Sequence, residues 1–298
     1  MGKVTDIRTT GAGLYFLPVQ TRVPLKFGSE TLTHVTCARA RVTVADASGR
    51  QAEGWGETPL SVEWVWPNAI PYEQRHEALQ TFCRQLTELW SSITTPGHPL
   101  EIGYEFQETV LPGFLSGFNR RYRAGQEPMP WLAALVCCSP FDLALHDAYG
   151  NLLARPVYET YGPEFMNRDL AAFLQPAVGS SVSFKGKYPA EFLAASPADR
   201  LVAWHLVGGL DPLDDSERIG AKPSDGYPVT LEQWIERDRL KCLKVKLRGN
   251  DVDWDFQRLV RVGQIALGRG VNWLSADFNC TVREPAYVNA ILDRLRDV

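Results

Sequence analysis

From Thr230 onward the hydrophobic pattern switches repeatedly between two periods, and few architectures accommodate that switching. Thr230 caps an expected helix from Leu231 to Arg239, with Glu232 and Gln233 in its first turn. Lys241 to Leu247 has the alternation of a strand, and residues 252–268 have helical spacing. Trp273 to Phe278 is again a strand, and Glu284 to Arg296 a helix. Strand–helix–strand–helix over this length signals a parallel α/β sheet or barrel.

The N-terminal part reads differently. Ala38, Ala40, Val42 and Val44 share one parity, and Cys37, Arg39, Arg41 and Thr43 the other, a long strand closed by the turn Asp46-Ala47-Ser48-Gly49. Gln51 to Glu57 returns, so 32–57 is expected to be a hairpin. Residues 73–92 place Ala78, Leu79, Phe82, Leu86, Leu89 and Trp90 at helical spacing. Leu111 to Pro130, rich in Gly, Arg and Pro, reads as a long loop, with Arg120, Arg121 and Arg123 on its solvated face. Pro130 to Ala154 should be helical, with Gly150 and Pro156 marking its end region. Residues 175–229 form a loop-rich connection with one buried strand, Leu201 to Val207; Leu170 to Leu174 is a rival for the first strand of the parallel sheet.

At 298 residues the chain predicts two domains or one large α/β domain. Hydrophobic residues at 45% and charged residues at 22% exclude a disordered chain. A net charge of −4 leaves no electrostatic footprint for nucleic acid or an anionic membrane. The longest apolar run, Trp131 to Cys138, falls far short of the ~20 residues of a spanning helix. The start MGKVTDIRTT lacks the apolar stretch of a secretory signal, and the six cysteines form no C-x-x-C. Reduced thiols in a cytoplasmic protein are therefore expected.

The chemistry concentrates in Lys241 to Arg248. Side chains alternate faces along a strand, so Lys244, Lys246 and Arg248 share one face and Leu243, Val245 and Leu247 the other. Alone, this also describes an edge strand with its charged face in water. Helices on both sides in sequence favour an interior strand buried on both faces, where two inward ammonium groups are costly unless they serve a site. Asp277 and Asn279 share a parity at the end of the next strand, where a carboxylate and an amide oxygen can face a cation such as Mg²⁺; a strand-terminal turn is the alternative. Lysines and oxygen ligands on adjacent strand ends suit abstraction of a proton next to a carboxylate, with a divalent cation taking up the charge of the enediolate.

Four stretches resemble the enolase superfamily, in the mandelate racemase/muconate lactonizing enzyme group. Pro24-Leu25-Lys26-Phe27-Gly28 resembles the mobile substrate-covering loop of the capping domain, and Gly54-Trp55-Gly56-Glu57 the end of the capping hairpin. Phe141 to Gly150, followed by Arg155-Pro156-Val157-Tyr158, resembles the helix and exit of that domain. Lys244-Val245-Lys246 and Asp277-Phe278-Asn279 match the Lys-x-Lys and the first metal-ligand strand of the barrel. The resemblance implies an α+β capping domain over 1–165, followed by the start of a modified (β/α) TIM-like barrel over 166–298. It implies Lys246 as catalytic base, and Lys244 as the group that neutralises the substrate carboxylate and tunes Lys246. Asp277 becomes a Mg²⁺ ligand and Asn279 a polar partner of the site. Lys26, Phe27 and Trp55 become substrate-binding candidates; Trp55 also reads as core or interface packing. His205, in the presumed first barrel strand, either enters the pocket or is a buried structural histidine. The implied partner is a small carboxylate substrate, with an acid sugar as first guess because the polar 208–229 stretch suits a hydroxyl-rich pocket. Homo-oligomerisation through the capping domain is a further implication.

The sequence departs from the group in one respect. Nineteen residues follow Asn279, they read as one helix, and Glu284 follows Asp277 too closely to be a next-strand ligand. The barrel is thus expected to be incomplete in this chain. The rival reading is a truncated, non-catalytic homologue or scaffold fragment lacking the full metal site. His146 beside Asp147 resembles an acid–base pair, but the capping-helix position favours a structural role.

Overall fold

The computed structural model describes residues 2–27, 30–218 and 223–298, the side chains of Phe27 and Glu30 excepted. These residues divide into two compact units. One runs up to Val19 and resumes over Val35–Ser196; the other comprises Gln20–His34 and Pro197–Val298.

The first sheet has three strands in the order β1 (Ile7–Phe27), β2 (Glu30–Asp46) and β3 (Gln51–Pro59). β2 and β3 pair antiparallel, from Cys37 opposite Pro59 to Ala45 opposite Gln51. The alternation read from sequence is the alternation of burial: Ala38, Ala40, Val42 and Val44 are fully buried. On the other face Arg39 pairs with Glu57 at 2.6 Å and Arg41 with Glu53 at 3.2 Å. At the turn, the Asp46 carboxylate accepts from Ser48 Oγ and from Arg50 Nε and backbone N–H. Those bonds, the one from Ser48 foremost, hold its carboxyl down to about 2. Pro24 to Phe27, which resembled a loop, belong to β1; Gly28 lies outside the described residues.

Helices α1 (Val62–Val65), α2 (Tyr72–Ser91) and α3 (Pro99–Glu105) follow. A π-turn at Phe106–Val110 leads into α4 (Leu111–Tyr122), and α5 (Trp131–Leu153) completes the set. α4 occupies the stretch expected to be a loop. Its glycines disguised a helical stripe in which Leu111 and Phe118 are buried and Phe114 and Leu115 pack against the core. α5 lies so close on β3 that a Cβ at Gly54 would sit 2.0 Å from Ala148 N, and one at Gly56 2.1 Å from Pro140 O. That approach explains the Gly-x-Gly spacing. Leu79, Phe82, Leu86 and Trp90 of α2 pack into the same core as Phe141, Ala144 and Leu145 of α5.

The second sheet is parallel, in the order β4 (Trp204–Val207), β5 (Cys242–Lys246) and β6 (Trp273–Asp277). Its helices are α6 (Leu231–Asp238), α7 (Val252–Leu267) and α8 (Pro285–Leu295). Leu170–Ala172 is a short 3₁₀ turn, so β4 is the first parallel strand. Val207, Leu243 and Val245 pack with Leu231 and Ile235 of α6 and Val262 and Ile265 of α7. The opposite face is open, with Trp204 48% and Trp273 65% exposed. β5 is therefore an interior strand covered on one face rather than on both. Among the described residues no helix is long and apolar enough to cross a membrane.

Candidate functional site

Register sets the site. β5 and β6 align Lys244 with Ser275 and Lys246 with Asp277, and paired residues share a face. Lys244, Lys246 and Asp277 therefore converge on the open face at the carboxyl ends of two adjacent parallel strands. Both ammonium groups lie 2.9 Å from the same oxygen, Asp277 Oδ2. They are not equivalent: the Lys244 side chain is 47% exposed and that of Lys246 12%. Burial pushes the Asp277 carboxyl up, but hydrogen bonds from Lys246, Lys244 and the Asn279 N–H outweigh it and hold the group well below the usual carboxylate range.

The chain end of β6 is conformationally strained. Asn279 and Cys280 have φ of 53° and 57°, successive left-handed residues without glycine. What over-determines them is a web of bonds to the end of β5. Asn279 N–H donates to Asp277 Oδ1 at 2.9 Å, and Asn279 Nδ2 donates to Leu247 O at 3.0 Å. Lys246 Nζ donates to Asn279 Oδ1 at 2.5 Å, and Thr281 Oγ1 donates to Arg248 O at 2.7 Å. Gly249, at φ 72°, permits this closure, since a Cβ there would fall 1.9 Å from Thr281 Oγ1. The fully buried carboxylate of Asp255 fastens the loop from behind, accepting from Arg248 N, Gly249 N and the Tyr287 hydroxyl.

Beside this web opens a cavity of about 650 Å³. Lys26, Lys246, Arg248 and Asn279 line it, with Trp254 as an aromatic wall. Lys26, Lys246 and Asn279 thus line one cavity. Other candidates lie elsewhere. The β4–β5 register pairs His205 with Leu243, which puts His205 on the helix-covered face. Its ring is 5.4 Å from that of Trp234, and burial pushes its imidazole down. Trp55 belongs to the first unit, half-exposed, with its ring 5.7 Å from that of Tyr15. The Phe27 side chain lies outside the described residues. His146 Nδ1 bonds Asp142 O, and Asp147 accepts from the Trp55 N–H, both structural contacts. Arg248 and Thr281 were not singled out from sequence as site residues. The turn-forming Gly249-Asn250 that places them was the available signal.

Solved structures share this chain's fold over part of their length and resemble it weakly in sequence. The mandelate racemase/muconate lactonizing protein from Herpetosiphon aurantiacus superposes with a TM-score of 0.51 at 13% identity, covering 97% of this chain and 58% of its own. The chain has part of the fold of that protein. The dipeptide epimerase from Methylococcus capsulatus, complexed with Mg and the dipeptide L-Arg-D-Lys, superposes on this fold at 0.52 and 16% identity, over 97% and 58% of the two chains. The N-succinyl Arg/Lys racemase from Bacillus cereus does so at 0.54 and 14%, over 97% and 56%. The chain thus spans a little over half the length of these enolase-superfamily structures. By sequence alone, no family model and no curated protein matches it.

The magnesium of such complexes has no ready counterpart here. Among the described residues no three His, Cys, Asp or Glu side chains form a group able to hold a metal ion. Asp277 is the single carboxylate on this face of the three strands. Its Oδ2 carries two ammonium groups and its Oδ1 an N–H, while Asn279 Oδ1 accepts from Lys246. Oxygens engaged by cationic and N–H donors, and lacking further carboxylates beside them, do not fit a divalent ion that needs about six oxygen ligands.

Proposed function

We propose that this chain binds the carboxylate of a small organic acid at the ends of β5 and β6. Lys246 then exchanges the proton on the adjacent carbon, the first half of a racemase/epimerase-type reaction. In this reading residues 1–165 are the capping domain and 166–298 the opening part of the (β/α) barrel. One observation carries it: two ammonium groups already converge on a single carboxylate oxygen, and the more buried of the two lines the cavity.

The steps follow from the positions of the amines. Lys244, at the solvent side, meets the substrate carboxylate as an ammonium. Lys246, once it has released one ammonium proton to water, takes the α-proton while the C–H electron pair moves onto the carboxyl oxygens. The Lys244 charge stands where that negative charge accumulates. The new Lys246 ammonium exchanges its hydrogens with water and returns one to the carbon. Both amines leave one strand, so they reach the same face of the α-carbon; deuterium enters with retention of configuration.

The test is the proton NMR signal of the α-hydrogen in deuterated water. The panel comprises acid sugars, N-succinyl amino acids and dipeptides. Loss of the signal with wild type and not with Lys246→Ala supports the reading; equal exchange by both overturns it. A second reading, carboxylate binding without turnover, is favoured by Asp277 being the one carboxylate in the three parallel strands. It predicts saturable binding of these acids with no exchange.

A further inference from the structure

The charge of the 650 Å³ cavity points beyond one carboxylate. Three cationic side chains line it (Lys26, Lys246 and Arg248), and among the described residues no Asp or Glu does. A single carboxylate on the lysine pair leaves Arg248 without a substrate partner.

Arg248 is held as a recognition group would be. Its backbone N–H is fixed by Asp255 at 2.7 Å, and its guanidinium carbon lies 4.1 Å from the Trp254 ring centroid. Stacking on an indole holds a guanidinium in one plane while leaving its edge available. Asp251 Oδ2 accepts from Nη1 at 3.2 Å, and among the described residues this guanidinium makes no other side-chain hydrogen bond. The side chain is 51% exposed, so an incoming anion reaches it. The site is rigid because Asp251 also caps α7 through Trp254 N, fixing the ring that carries the guanidinium.

We propose that the substrate is a dianion whose second anionic group, a carboxylate or a phosphate, is taken by Arg248 on Trp254. This rests on the reading of the lysine pair as the seat of the first carboxylate. A planar guanidinium edge matches two oxygens of either group through parallel N–H···O bonds.

Three probes share a 2-hydroxycarboxylate head and differ only at the far end: lactate with none, malate with a carboxylate, and 3-phosphoglycerate with a phosphate. Calorimetric titration of the 298-residue chain should show malate or 3-phosphoglycerate binding about tenfold or more tighter than lactate, as a charge-assisted pair contributes. Which of the two leads identifies the second group. Arg248→Ala and Arg248→Gln should both bring the dianions down to the affinity of lactate, with circular dichroism confirming that each variant is folded. If lactate binds as tightly as the dianions, or if the preference survives both substitutions, the inference fails while the lysine-pair reading stands. If none of the three binds, the lysine-pair reading fails and takes the inference with it.

Discussion

Lys246 and Asp277 are register partners on neighbouring parallel strands, and their charged atoms meet at 2.9 Å. The pairing makes Asp277 part of the stability of the second unit. A carboxyl held below its ordinary range contributes stability that is fully present above about pH 4 and is lost as pH falls through the folded-state value. Asp277→Asn should therefore lower stability at pH 7, by about 1 kcal/mol given the partial exposure of the pair. Urea titrations of wild type and variant should differ at pH 7, and the difference should begin to shrink only as pH falls below about 4; a difference that stays constant into strong acid would contradict the assignment.

His98 gives a second pH dependence, in the first unit. It is fully buried at the start of α3, with Nδ1 accepting from Leu100 N and Nε2 bonded to Thr160 Oγ1. Burial, aided by the charge of His146, pushes its imidazole down to about 3. The unfolded residue titrates at ~6.5, so between these values the unfolded chain binds more protons and stability is lost as pH falls. Urea titrations should show wild type losing roughly 2 kcal/mol more than His98→Asn between pH 7 and pH 5.

The close approach of β3 and α5 predicts the cost of one methyl group. Gly56→Ala places its Cβ 2.1 Å from Pro140 O, against helix backbone that has no room to shift. Overpacking of this kind costs about 1–3 kcal/mol or more. The melting temperature should fall by several degrees, whereas Gly113→Ala, with open space around the new methyl, should leave it unchanged or higher.

The oxygens of Asp277 and Asn279 are spent on nitrogen donors. Magnesium titrated into this chain should therefore give no saturable heat below millimolar concentration. A micromolar site removed by Asp277→Ala would show instead that the lysines give way to the ion.

The patterns that depend on period were legible from sequence. The α6–β5–α7–β6–α8 succession matches the expectation to within a residue or two, because period 2 and period 3.6 separate cleanly where turns and caps punctuate them. Strand parity put Lys244 and Lys246 on one face; that Asp277 joins them depends on the β5–β6 register. Parity failed for His205, because it says which residues share a face but not which face the helices cover. α4 was missed because Gly113 and Gly117 lowered its apparent helix propensity, while tertiary burial of Leu111 and Phe118 offset that loss. The role of Arg248 could not be read from strand alternation, since it lies beyond the end of β5, in a loop set by Asp255 and Gly249.

The central claim is that Lys246 moves the α-proton of a bound carboxylate while Lys244 holds the carboxylate. Deuterium incorporation at the α-carbon, followed with wild type, Lys246→Ala and Lys244→Ala on one bound acid, tests it most directly. The account predicts exchange with retention by wild type and none by Lys246→Ala. It predicts for Lys244→Ala a rise in the acid concentration needed for half-maximal exchange, since its ammonium binds the carboxylate. Exchange that persists undiminished in Lys246→Ala would contradict it.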